Sequence, residues 1–330
     1  MTPTDKTITF PIDLVYLWVD GNDPAWREKR CRYNVGVGNG LQNNEARWRN
    51  NNELKYSLRS VEKYAPWINR IFIVTDNQCP DWLNTDNPKV QIVDHSQIFP
   101  ADALPVFNSQ AIESVIYKIP GLSEHFIQGN DDTLFSAPVY PSDFFNPDGT
   151  PIVRFSGVRM RESKLRGGSM YVKVVYGMRD LIHEKFGVKI NYMPHHNFDS
   201  YRLSDIKECV GLFQKKWETT AYSRFRSNED IQRCIVGYYV VATKMGTMRK
   251  VGRYNRLPGV LQKIRAFFTN TFASDSRCIP ANVVDYTKVM DKYNPLMFCM
   301  NDDENTTDED CARFVEFFET LFPDKSTFEK

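Results

Sequence analysis

The sequence predicts an α/β fold: a mainly parallel sheet with helices on both faces, followed by an irregular, α-rich C-terminal half. Three observations carry this expectation. Short apolar runs alternate with segments of helical period through the first 130 or so residues, the pattern of strand–helix–strand units. Each apolar run ends in an acidic residue, Asp20, Asp76, Asp94 or Asp131, and parallel sheets bind ligands beyond the carboxyl ends of their strands. With 330 residues the chain has ample length to bury a core, as one large domain or two modest ones.

Residues 11–19 read as a buried strand that runs into the polar turn Asp20-Gly21-Asn22-Asp23-Pro24. Asn52-Glu53-Leu54 opens a helix whose apolar positions, Leu54, Leu58, Val61 and Tyr64/Ala65, recur close to helical period, and Pro66 stops it. Residues 71–76 and 90–94 supply the next two strands. A helix over 109–119 places Ile112, Val115, Ile116 and Ile119 on one face and ends at Pro120-Gly121. Residues 125–128 form the strand that leads into Gly129-Asn130-Asp131-Asp132. We expect residues 1–150 to form the core of the site and 151–330 to complete it.

The second half is less regular. Residues 151–175 read as strand and loop, rich in arginine (Arg154, Arg159, Arg161, Arg166), with Gly167-Gly168 suited to a mobile loop that closes over a ligand. Asn228-Glu229-Asp230 caps a helix reaching about Ala242, with Ile231, Cys234, Ile235 and Tyr238 inward. Residues 244–273 hold seven Lys or Arg and no acid, and include the amphipathic stretch 260–268. Two readings of that stretch stay open: a helix lying on an anionic membrane, or one packed on the core with a solvated basic face. The acidic run 301–310 precedes an amphipathic helix with Phe314, Val315, Phe318 and Leu321, and it lacks the spacing of an EF-hand loop.

Composition excludes several classes. Lys+Arg number 42 and Asp+Glu 41, without the basic excess of a nucleic-acid binder. Seven scattered cysteines form no CxxC pair, so neither a zinc ribbon nor a disulfide framework is expected, and reduced cytosolic thiols are the simpler account. No apolar stretch approaches the ~20 residues of a membrane span, and the N-terminal residues lack the order of a signal peptide.

Asp131 and Asp132 at a strand end suit Mg²⁺, which takes one or two carboxylates and completes its shell with water and phosphate oxygens. A plain turn is the competing reading. The Gly-containing loop with Asp20, Gly21 and Asp23 lets backbone amides approach a phosphate or a uracil ring, or is a simple turn. His195 and His196 project in different directions, so one of them is the candidate general base, against a satisfied polar histidine. Arg224 and Arg226 are candidates for a phosphate clamp, against surface salt bridging.

These pieces, in this order, resemble the Stealth family of sugar-1-phosphate transferases, which includes bacterial capsule phosphotransferases and the lysosomal-enzyme N-acetylglucosamine-1-phosphotransferase. Residues 12–24 are similar to its first block. Residues 52–60, through Leu104-Pro105-Val106-Phe107-Asn108-Ser109 to Asn130-Asp131-Asp132, are similar to the second. Pro194-His195-His196 through Arg224-Phe225-Arg226-Ser227 is similar to the third, and Cys299-Met300-Asn301-Asp302 to the fourth. Asp20 stands where the first block often has Asn, and Leu17 where it often has Thr.

The resemblance implies a glycosyltransferase-A-like nucleotide-sugar fold. It also implies transfer of a hexose-1-phosphate from a UDP-sugar to a hydroxyl of a growing capsular or exopolysaccharide glycan, releasing UMP. Asp131 and Asp132 would hold Mg²⁺ or Mn²⁺, and His195, Arg224, Arg226 and Asp302 would be catalytic. Trp18, Asp20, Gly21, Asp23, Asn108 and Asn301 would contact substrate. The implied setting is cytoplasmic, with peripheral contact to the membrane or to capsule-assembly proteins. A metal-dependent glycosyltransferase releasing UDP is the alternative enzyme. A glycan-binding module, the third reading, would retain glycan without turnover.

Overall fold

Four of the apolar runs become the parallel heart of one sheet: those at 12–17, 71–75 and 125–130 are buried along most of their length and need cover on both faces, while that at 90–94 is half-buried at the sheet edge. The computed structural model describes residues 8–34, 48–162, 168–257, 259–269 and 272–330. In it β1 (Ile12–Leu17), β2 (Ile71–Thr75), β3 (Val90–Asp94) and β4 (His125–Asn130) lie parallel in the order β3-β2-β1-β4. Leu17 at the end of β1 registers with Asn130 at the end of β4, so the two acidic turns leave the sheet at the same level. 

Side-chain alternation along β1 feeds two layers. Leu14 and Tyr16 join Leu54, Leu58 and Val61 of α2 (Glu53–Tyr64) on one face. Val15, with Phe72, Val74 and Phe126, meets Ile112 and Val115 of α3 (Ser109–Val115) on the other. α1 (Pro24–Tyr33) follows the first turn, N-capped by Asp23. The helix expected over 109–119 stops at Val115 and continues as a 3₁₀ turn over Ile116–Lys118, which still buries Ile116 and Ile119.

The two halves of the chain share their sheets. β8 (Asp199–Arg202) closes the main sheet antiparallel to β4. β5 (Thr133–Phe135) leaves it and pairs antiparallel with β11 (Met297–Asn301), which in turn pairs parallel with β10 (Ser276–Pro280). A further sheet has the order β7-β6-β9, from β6 (Ile152–Arg159), β7 (Tyr192–Pro194) and β9 (Thr247–Val251). Between them run α4 (Met170–Phe186), α5 (Leu203–Leu212), α6 (Gln214–Ala221), α7 (Cys234–Ala242), α8 (Val260–Phe268) and α9 (Tyr286–Tyr293). α10 (Asp308–Leu321) closes the chain with a capping box between Thr307 and Asp310.

Two local expectations are corrected. Residues 170–175 are helical, the first turns of α4, whose buried face runs on through Met178 and Ile182 beyond the stretch read as loop. Arg166 and Gly167 of the expected mobile loop lie outside the described residues. α7 begins at Cys234, several residues after the cap expected at 228–230. Asp230 instead accepts hydrogen bonds from Ser227 N and Asn108 Nδ2, both at 2.8 Å, closing a turn with a partner distant in sequence.

His95 supplies a stability prediction away from the site. It is buried, neither ring nitrogen has a hydrogen-bond partner among the described residues, and burial pulls its pKa down to about 4, against the pull of Asp76 and Asp94. A depressed folded pKa means the unfolded chain binds the extra proton first. His95 therefore contributes stability above its unfolded pKa of ~6.5 and loses it as pH falls toward 4, by roughly 3 kcal/mol. Urea unfolding of His95→Phe should show a shallower loss between pH 7 and 4.5 than the parent. Equal slopes would exclude His95 as a source of the acid sensitivity.

Candidate active site

β4 can carry a functional turn at its end because Gly129 lets an aromatic ring press on the strand. A Cβ at Gly129 would lie 2.5 Å from the Phe198 ring. The chain then turns through Asp131 and Asp132 into β5, with β11 alongside. Met300 N donates to Asp132 O at 2.9 Å, and the Cys299 thiol donates to Asp132 Oδ2 at 3.2 Å. Among the described residues, Asp132 Oδ1 is buried without a hydrogen-bond partner. From α2, Glu53 presents a third carboxyl, braced by Asn51 N at 2.7 Å and Asn51 Nδ2 at 2.8 Å.

These carboxyls raise one another. Burial, then Asp132 and Glu53, push Asp131 well above the ordinary carboxylate range. Burial pushes Asp132 to about 6, opposed by the Cys299 hydrogen bond and Arg233. Burial likewise pushes Glu53 to about 7, against the Asn51 hydrogen bonds. Three like groups in a low-dielectric corner, one with an orphaned oxygen, fit a divalent cation.

His196, Asp132 and Cys299 each offer a ligand atom, all within 4.8 Å of one another. Asp131 stands beside this set and outside it. An O, N and S donor set suits Zn²⁺ better than Mg²⁺, which takes oxygen ligands. His196 Nε2 also lies 3.2 Å from Asn130 Nδ2, and burial followed by Arg233 lowers its pKa to about 3.

Behind the histidine sits a buried cation. Arg233 Nη1 reaches Glu113 at 3.3 Å and Asn130 Oδ1 at 3.2 Å, and its Nε reaches Asp199 at 3.1 Å. Burial opposes its charge, but Glu113 and Asp199 together hold its pKa raised. Both carboxyls are themselves raised, Asp199 to about 6, with burial as the first cause in each. The contacts within 3.3 Å decide for a charged trio, with burial its standing cost. His195 and His196 open with Arg154, Tyr171 and Asp199 on a cavity of about 20 Å³, room for a single water.

The other expected site residues are distributed as follows. Asp302 follows β11 and pairs with Arg49 at 3.1 Å, close enough to Asp132 to raise its pKa. Asn301 ends β11 and accepts from Ala281 N through its carbonyl. Arg226 Nη2 donates to Ser109 Oγ at 2.7 Å and bears on both His196 and Glu113. Arg224 Nε donates to Pro105 O at 2.8 Å while its guanidinium stacks 4.5 Å over Tyr33, so it holds backbone in place.

Asn108 is fully buried, caps α3 at Gln110 N and donates to Ser223 O at 2.9 Å, which occupies it within the fold. Trp18 is likewise buried in the core. Asp20 and Asp23 share Gln78, whose amide donates to Asp20 O at 3.1 Å and to Asp23 Oδ2 at 2.9 Å. Gly21 passes so close to Trp48 that a Cβ would meet its carbonyl at 1.8 Å. The acids ending the next two strands are engaged elsewhere: Asp76 pairs with Lys29 at 2.6 Å, and Asp94 caps the turn at Ser96 N at 2.9 Å. The carboxyls therefore converge at β4 alone.

Comparison with known proteins bears on what this corner belongs to. The chain matches Stealth protein conserved region 1 over residues 10–34, conserved region 2 over 47–153 and conserved region 4 over 289–330. It is 32% identical to the receptor polysaccharide phosphotransferase WefC of Streptococcus gordonii, over 96% of this chain and 98% of that protein. The chain belongs to the Stealth family.

Other members of the Stealth family are similarly close. The exopolysaccharide phosphotransferase cps2G of Lactiplantibacillus plantarum is 32% identical over 97% of both chains. The exopolysaccharide phosphotransferase SCO6021 of Streptomyces coelicolor is 34% identical over 98% of this chain, which spans 58% of that longer protein. Among solved structures, the galactosyltransferase LgtC bound to donor and acceptor sugar analogs aligns with 96% of this chain at 10% identity and a TM-score of 0.46, too distant to add to the strand order above.

Conserved region 4 of the Stealth family extends well beyond the four residues 299–302 that suggested it, taking in β11 and α10. Sequence reasoning passed over four residues of the site. Glu53 was visible within the second block but read only as a helix opener. Cys299 was visible in the fourth and set aside as a reduced thiol. His196 ranked below its neighbour. Arg233, in the mixed stretch Ile231-Gln232-Arg233-Cys234-Ile235, gave no signal at all.

Proposed function

We propose that this chain transfers a hexose-1-phosphate from a UDP-sugar to a hydroxyl of a growing exopolysaccharide, releasing UMP. The observation that carries the reading is the corner of Asp131, Asp132, Glu53 and His196, with Asp132 Oδ1 unpartnered among the described residues, beside Arg226 and Arg233. Attack at the sugar-linked phosphorus needs positive charge around the phosphoryl oxygens and a proton acceptor for the attacking hydroxyl. A divalent ion held by Asp132 and His196, with Asp131 and Cys299 beside them, would offset charge on the departing nucleotide. Arg226, steadied by Ser109, would supply positive charge to the phosphoryl oxygens, and Arg224 would fix the loop that carries it. 

A cleft beside α1, lined by Lys29, Arg32, Tyr33 and Asp76, offers cations and a ring for the nucleotide after the 12–24 block. Asn301 and Asp302 close the site from the far end of the chain. A cytoplasmic setting and contact with capsule-assembly proteins belong to the same reading, as does the match of residues 194–227 to the family's third block. Incubation with a panel of UDP-sugars and oligosaccharide acceptors tests it. UMP release and a ³¹P NMR signal on the glycan are expected, and UDP with a phosphorus-free product would transfer the reading to a glycosyltransferase.

In this proposal His195 is the base. Its backbone N–H is tied to Arg154 O at 3.0 Å, while its Nδ1 is buried and has no partner among the described residues. Burial and then Arg154 lower its pKa to about 4, so it is neutral at pH 7 and able to accept a proton. A base this weak belongs at the low end of the ~10²–10⁴-fold that positioned bases contribute. His195→Ala should therefore lower turnover about 100-fold at saturating metal, with donor KM little changed. His196→Ala should instead raise the metal concentration needed for half-maximal turnover. The reverse pattern would exchange the two roles.

A further inference from the structure

α8 is an excursion from the body of the protein. The chain leaves through residues 253–257 and returns at 272–274, and the stem is tied by Ala273 N to Arg253 O at 2.9 Å and Arg256 N to Ala273 O at 3.2 Å. Between these ties the helix runs over Val260–Phe268 with only Ala266 buried. Its apolar residues recur at i, i+1, i+4, i+7 and i+8, the stripe that normally faces a core. Here that stripe faces outward: Val260 is 72% exposed, Leu261 80%, Ile264 48%, Phe267 69% and Phe268 80%. Of the two sequence readings, packing on the core is thereby removed. Five large apolar side chains on one short helix make a contiguous patch of the kind that marks a docking surface.

The charge around the stripe selects the partner. Residues 244–273 hold seven Lys or Arg and no acid, and of these Arg249, on β9, is paired with Asp275. Lys263 and Arg265 lie exposed on the helix itself. At its base, Arg253 and Lys292 sit 5.3 and 5.5 Å from the ring centroid of Phe272. A protein partner would need an apolar groove rimmed with acids. An anionic bilayer offers both halves at once: acyl chains for the stripe and headgroup phosphates for the cations.

We propose that α8 is a monotopic anchor, which lays its apolar stripe in the headgroup layer of an anionic lipid membrane. The insertion leaves the main sheet and the carboxyl corner untouched. It would hold the catalytic body at the surface on which a lipid-linked or membrane-extruded glycan is extended. Anchoring is independent of the chemistry proposed above, and its test requires no turnover.

The test is co-flotation of the purified full chain with vesicles of phosphatidylcholine, with and without phosphatidylglycerol. We expect binding to the phosphatidylglycerol vesicles, weaker binding to phosphatidylcholine alone, and partial release in high salt. Leu261→Ser/Phe267→Ser/Phe268→Ser should lower partitioning at least about tenfold. Lys263→Gln/Arg265→Gln should lower it about fivefold for each charge removed and reduce the preference for anionic lipid. Because α8 packs little, the triple variant should keep the parent's melting temperature. The single change Phe268→Asp provides the same readout if the triple variant fails to fold. Undiminished flotation of these variants would overturn the proposal, as would failure of the parent to float. So would a concentration-dependent dimer in sedimentation velocity that the triple variant abolishes, which would assign the stripe to a second copy of the chain.

Discussion

Asp132→Asn should lower turnover by about 10³-fold while the fold is kept. A bound metal contributes several kcal/mol of charge stabilisation to phosphoryl chemistry, and loss of a ligand forfeits most of it. The outer-shell partners of metal ligands already cost about 10–100-fold when mutated, so a ligand should cost more. Asn is nearly isosteric with Asp, its side chain still reaches the Cys299 thiol, and the bond from Met300 N is accepted by the backbone carbonyl of residue 132, which the substitution leaves in place. The substitution also removes one of three carboxyls that raise each other's pKa, so stability should hold or rise slightly. Calorimetric titration with Mn²⁺ should show weakened binding in step with the loss of turnover. Full activity of the variant in the presence of chelator would sink the metal assignment.

The second large effect is on stability. Arg233→Leu should destabilise the fold by about 3–5 kcal/mol, the usual cost of orphaning a buried charge partner. Here two carboxylates, Glu113 and Asp199, lose their cation together, and Asn130 loses the contact that holds it toward His196. The pH dependence separates this cause from lost packing. Without Arg233 the two carboxyls have folded pKa values raised further above their unfolded ones. The folded variant then binds more protons than the unfolded chain, and its deficit should shrink as pH falls through the folded pKa values toward ~4. Urea unfolding at pH 7.5 and 5.5 measures both. A deficit under about 1 kcal/mol, or one that grows on acidification, would show that the trio is not charged as its contacts indicate.

The parallel sheet was legible because burial leaves a direct trace in composition. Residues 71–76 and 90–94 are apolar runs of strand length, and Leu54, Leu58 and Val61 recur at helical spacing; each landed in the element its period indicates. Asp131 and Asp132 were legible for a related reason, since a polar pair after an apolar run has few uses at a strand end. The same logic overreached at the other strand ends. A carboxylate that caps a turn, as Asp94 does, or pairs with a lysine, as Asp76 does, looks identical in sequence to one that faces a ligand. 

Boundaries failed where a distant partner decided them. Asp230 has the look of a helix cap, but Asn108 recruits it to a turn. Cys299 is brought to Asp132 by an antiparallel pairing of β5 with β11, across 167 residues.

By itself the sequence determined the family, the sheet, the paired aspartates and an amphipathic basic stretch of nine residues, because each is written in local pattern. Tertiary structure alone decided which histidine stands by the aspartates and that Glu53, Cys299 and Arg233 join them. It also decided that the apolar stripe of α8 looks away from the core. Periodicity reports that a face is apolar, and only the packing of the rest of the chain determines what that face meets.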